Sequence, residues 1–190
     1  MPATDVEIVS AALVALGDAP ITSLEDDGAG AEAARALYPF VRSAMLTVHR
    51  WGFASAQAEL AKLAAIPVAD YDFAYALPAD FLHAVALGGQ RNRGRGWPYR
   101  VAEGRVHTNA DPAILSYVYD APEAIWPPHF VALMRAQLRA ELCMAVTEDH
   151  QRYGAFLQQA ELELSRAKRI DSQQATPIVI QSFPLIDARG

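Results

Sequence analysis

The chain has 190 residues, 52% hydrophobic and 20% charged, which fits one ordinary soluble domain able to bury a core unaided. Its 22 acidic against 16 basic residues leave a formal charge of −6, which argues against a protein whose main task is to grip phosphate backbones. The single cysteine, Cys143, excludes an internal disulfide framework and any multi-cysteine zinc site, and suits a reducing compartment.

Met1 to Asp5 lack the basic and apolar regions of a secretory signal, so a cytoplasmic chain is expected. Charged or amide side chains interrupt every apolar run before the ~20 residues needed to cross a bilayer, and no membrane association is expected.

The first predicted helix spans about 4–16: Val6, Val9, Leu13 and Leu16 recur at helical steps, Thr4 is a candidate N-cap and Gly17 a stop. Residues 18–28 read as a connector, and no Lys or Arg precedes Arg35. A second helix is predicted over 29–51, with Leu37, Val41, Met45, Val48 and Trp51 on one face; Pro39 predicts a kink or restart between Ala34 and Tyr38. From about 53 to 120 the segments become short and punctuated by Pro and Gly, which predicts a small antiparallel sheet inserted between helices. Ala58 to Ala65 stays open, helical by composition and strand or hairpin by position.

Helical spacing returns after Trp126-Pro127-Pro128. Phe130, Met134, Leu138, Leu142 and Val146 mark a helix over about 128–147 that reads as the most amphipathic of the chain. A fourth helix is expected over 149–170, carrying Tyr153, Phe156, Leu157, Ala160, Leu164 and Ala167. The fold class is thus α+β, mainly α: a bundle of long helices with a β insertion forming one domain over 1–172, then a C-terminal extension over 173–190. Ile178, Val179, Ile180, Phe183, Leu185 and Ile186 make that extension apolar, so it either folds back on its own core or inserts into a partner.

Catalytic spacing is sparse. None of His49, His83, His107, His129 and His150 forms a His-x3-His or His-Glu-x2-His pair, Gly28-Ala29-Gly30 lacks the strand and lysine of a phosphate loop, and Glu25-Asp26-Asp27 read as a solvated turn. No metal, cofactor or enzymatic activity is expected. One cluster is unusual: Arg91, Arg93, Arg95, Trp97, Tyr99 and Arg100 mix cations, glycine and aromatics at the tip of a predicted hairpin. Such a loop can hold single-stranded nucleic acid, dock on an acidic face of a neighbouring subunit, or stand in solvent.

Three stretches together resemble the head-to-tail adaptor (connector) family of tailed bacteriophages, of the tail tubular protein A type. Ala15 to Asp26 is similar to that family's helix end, Gly-x-x-Pro turn and Ser-Leu-Glu connector, through Gly17, Pro20 and Leu24. Arg50-Trp51-Gly52-Phe53 closes a helix as an Arg/His-x-Trp-x-Phe element does, with Gly52 where relatives often carry a polar residue, and Tyr75 to Leu82 is similar to a Tyr-x-Leu-Pro-x-Asp-Phe-Leu segment through Leu77, Pro78 and Phe81. The resemblance implies a structural virion protein of the neck, made in the host cytoplasm. It implies a ring of about twelve copies that binds the portal protein, extends the channel for passing double-stranded DNA and carries a tail, nozzle or stopper protein. It also implies that the apolar extension reaches the portal. A neck stopper or tail terminator, and a DNA-binding accessory factor using Arg91 to Arg100, are the alternatives.

Overall fold

The computed structural model describes residues 3–88, 96–147 and 149–174. The order is α1 (Asp5–Leu16), α2 (Ala29–Thr47), β1 (Ser55–Glu59), β2 (Phe73–Ala76), β3 (Phe81–Gly88), β4 (Tyr99–Ala102), β5 (Arg105–Thr108), β6 (Ile114–Tyr119), a 3-10 turn (Glu123–Ile125), α3 (Pro128–Thr147) and α4 (His150–Ser172). The α+β, mainly helical class follows directly from this order.

Helix α1 starts where a capping box is written in the sequence. The Thr4 hydroxyl accepts the Glu7 N–H and the Glu7 carboxylate accepts the Thr4 N–H, while Gly17 ends the helix at φ +92°. Helix α2 ends at Thr47, four residues before the predicted end, and Trp51 lies beyond it. Of the predicted face Val41 is buried and Leu37 and Met45 pack on the core, whereas Val48 is exposed; Ala31, Ala34, Tyr38 and Leu46 complete the buried side. The restart expected before Pro39 is absent: the helix runs through it unbroken. Pro39 and Arg35 both face solvent, so water can satisfy the Arg35 carbonyl that Pro39 cannot.

Helix α3 is not the one-sided amphipath its spacing suggests. It packs against α1, α2 and α4, and Phe130, Leu133, Met134, Ala136, Leu138, Ala140, Leu142 and Cys143 are all buried. Asp149 caps α4 by accepting the Gln151 and Arg152 N–H groups at 3.0 Å.

The β region forms two three-stranded antiparallel sheets rather than one, in the orders β1-β6-β3 and β2-β5-β4. Glu103 (φ +55°) and Gly104 (φ +68°) form the two-residue turn that folds β4 onto β5, a left-handed pair that suits the twist of a hairpin. Ala58 to Ala65 resolves as extended chain: β1, then a bridge from Lys62 to Tyr75 along the edge of β2. The first sheet lies between the helices and the second sheet. Its Leu82, Val85 and Val118 pack on the helical core, and its Leu87, Leu115 and Tyr117 meet Tyr75 and Val106 of the second sheet.

Candidate assembly surfaces

The residues that carry the resemblance fix three junctions of this fold. At the first, Gly17 and Asp18 donate back to the end of α1, at 3.0 Å to Val14 O and 3.1 Å to Leu13 O. The Asp26 carboxylate then closes the connector by accepting both the Thr22 and Ser23 N–H groups and the Thr22 hydroxyl. Those bonds, led by the Thr22 N–H, hold the Asp26 carboxyl below its usual range. Leu24 packs on the helical core while its carbonyl accepts Arg35 Nε at 2.9 Å; Pro20 is exposed. Gly30 admits the connector closely, since a side chain there would collide with the Asp18 carboxylate and stand 3.0 Å from Leu13.

At the second junction Trp51 is fully buried, its indole N–H donating to Met45 O at 2.8 Å and its ring edge-on to Phe130 at 5.1 Å. Phe53 meets the same Phe130 at 4.9 Å and accepts the Tyr119 hydroxyl on its carbonyl. Around them lies a buried polar group: Asp171 Oδ2 is 3.6 Å from His49 Nε2, Asp171 Oδ1 is 4.0 Å from His129 Nε2, and both oxygens accept the Gly52 N–H. Burial lowers the His129 pKa, against a smaller opposing pull from Asp171. His129 Nε2 has no hydrogen-bond partner among the described residues.

At the third junction Leu77 and Phe81 pack in the inter-sheet core, and the Phe81 N–H donates to Pro78 O at 3.2 Å. Asp80 ties this turn to the end of β6, with its carbonyl accepting the Asp120 N–H and its carboxylate accepting the Tyr117 hydroxyl. Beside this junction Arg42 reaches from α2 to Asp120, Glu123 and the Ala121 carbonyl, over the ring of Trp126.

Of the basic loop, Arg91, Arg93 and Arg95 lie outside the described residues, as do all six apolar residues of the tail, Ile178 to Ile186. Trp97 is exposed, with its N–H on Leu87 O. Tyr99 packs in the inter-sheet core, whereas Arg100, on the other face of β4, lies 3.8 Å from the Asp70 carboxylate. The structure therefore does not bring Tyr99 and Arg100 to one surface.

Apolar side chains outside both cores mark the surface available to partners. Phe40 on α2, Ile66 and Val68 in the loop before β2, and Leu162 on α4 are between 72% and 105% exposed. Among the described residues no group of three His, Cys, Asp or Glu side chains is placed to hold a metal ion, and no helix is long and apolar enough to cross a membrane. The Asp171 cluster was missed by sequence reasoning, since its members come from three distant segments. Its one sequence signal is an acid on the stripe Ala160, Leu164, Ala167, Asp171 of α4. No protein-family model matches the chain, and no curated protein matches it.

Proposed function

We propose that this chain is a structural head-to-tail adaptor of a tailed bacteriophage, acting by binding rather than by catalysis. In this reading copies form a ring under the portal in the virion neck, extend the DNA channel and offer a platform to tail proteins. What supports it is that the three stretches resembling adaptors do physical work in this fold: Gly17 and Leu24, Trp51 and Phe53, and Leu77 and Phe81 pack or cap at three of its inter-element junctions. The exposed Phe40, Ile66, Val68 and Leu162 give a ring subunit apolar surface for its neighbours. A net charge of −6 suits a conduit past which DNA slides, since net repulsion disfavours retention.

The test is native mass spectrometry of the chain with the portal protein encoded beside it. Rings of the chain on the portal, lost when 175–190 are deleted from a still folded protein, are the expected result. Failure to associate, with fold intact by circular dichroism, would overturn the adaptor role in favour of a neck stopper that meets a different neighbour.

A further inference from the structure

Helices α1 and α4 both pack on α3, and a groove runs along α3 between them. Pro128, Ala132, Ala167 and Ile170 make one end apolar. Beyond Ala132 the lining is alanine, Ala11 and Ala15 from α1 and Ala136 from α3, and the rim turns polar at Arg135, Arg139 and Gln159. From Pro128 to Arg139 the groove follows α3 for ~16 Å, about three helical turns. Arg135, Arg139 and Arg166 line it against a single carboxylate, Glu163, so cations are in local excess on a chain whose net charge is −6.

Hydrogen bonding sets this groove apart from the rest of the surface. Among the described residues two buried side-chain nitrogens lack a partner, His129 Nε2 and Arg139 Nε, and both residues line it, one at each end. The Arg139 guanidinium lies over the Phe156 ring at 4.3 Å, and its Nη2 donates to Gln159 Oε1. Nε and Nη2 share one edge of a guanidinium, the fork that a carboxylate takes with both its oxygens. The Gln159 amide oxygen fills one tooth of that fork and leaves the other bare.

We propose that this groove docks an acidic amphipathic helix of a partner protein. One of its carboxylates displaces the Gln159 amide and takes both teeth of the Arg139 fork, while its aliphatic side chains pack on Pro128, Ala167 and Ile170. The alanines let the incoming backbone approach closely, where larger side chains would hold it away. Arg135 and Arg166 supply the charge that steers an acidic segment to this face of a chain that elsewhere repels it. The proposal stands apart from the adaptor reading, since it follows from the chemistry of the groove and not from which neighbour carries the helix.

Fluorescence anisotropy with the full-length chain tests it, using two labelled peptides of ~14 residues, about the length at which a helix holds in water. One carries Leu and Ala on one face flanked by Glu; the other has Lys in place of every Glu. The net charge of −6 favours the Lys peptide, so tighter binding of the Glu peptide, by about tenfold, is the result expected of the groove. Arg139→Gln should weaken the Glu peptide about tenfold, whereas Arg100→Gln, the same charge change on the second sheet, should not. Binding of neither peptide, preference for the Lys peptide, or equal losses in the two arginine variants would overturn the proposal. So would dimers of the chain that Arg139→Gln abolishes, which would give the groove to a second copy. Ala132→Trp, which fills the lining at an exposed position, replaces Arg139→Gln if that variant fails to fold, with the same outcomes deciding.

Discussion

Asp171, in the last turn of α4, accepts the backbone N–H of Gly52 with both carboxylate oxygens, at 3.1 and 3.2 Å. The end of the last helix is thereby fastened to the chain leaving α2. Asp171→Ala removes the charged acceptor of that part-buried N–H and should lower unfolding free energy by about 1.5–3 kcal/mol. Asp171→Asn keeps an acceptor and should lose less. Urea unfolding of both variants checks the order; an alanine variant as stable as the parent would remove the fastening role.

His129 makes the same corner sensitive to acid. Its pKa in the folded chain lies below the ordinary 6.5, mainly through burial, so the unfolded chain binds the proton more readily. The stability it contributes is fully present above 6.5 and is lost as pH falls through the lower folded value. His129→Gln should flatten the decline of the urea midpoint as pH falls below about 6.5. An unchanged slope would mean that another group carries it.

Arg42 and Glu123 tie α2 to the turn before α3. Burial pushes the Glu123 carboxyl up, but hydrogen bonds from its own backbone, Tyr38 and Arg42, together with the Arg42 charge, outweigh it and hold the carboxyl below its ordinary 4.5. Its stabilisation is complete above 4.5 and disappears as pH falls through the depressed value. Glu123→Gln should therefore reduce the acid sensitivity of unfolding in that range. Arg42→Met, which leaves Glu123 without its cation, should cost about 1–3 kcal/mol at neutral pH; thermal unfolding as a function of pH reads both effects.

Ile66 and Val68 contribute to neither core, and Val68 is 105% exposed. Changing both to Asp should alter stability by less than about 0.5 kcal/mol. Under the adaptor reading the same change should reduce ring formation on the portal. Full assembly by the double variant would place the subunit contacts elsewhere, for instance at Phe40 or Leu162.

The helices were legible because their signals are local. Thr4 with Glu7 announces the start of α1, Gly17 its end, and the spacing from Phe130 to Leu142 falls within α3, Pro128–Thr147. The end of α2 was misread because Val48 and Trp51 extend the apolar spacing past the last helical residue, although Trp51 is buried against Phe130 from outside the helix. The strands of the β region were legible as short segments between breakers, but not their division into two sheets. Pairing β2 with β5 and β3 with β6 is a choice among distant partners that a single sequence does not record. For the same reason His49, Gly52, His129 and Asp171 were invisible as a group, and Arg42 with Glu123 as a pair.

Tyr117 and Val118 are neighbours on β6, yet one belongs to the core between the sheets and the other to the core among the helices. Because strand geometry sends successive side chains to opposite faces, a single backbone is a wall of both compartments. The β insertion is therefore not a bolt-on module. Melting it would strip one wall from the helical core, so the two regions should unfold in a single transition, and a load applied to the second sheet would reach α3 through rigid strand rather than through a hinge.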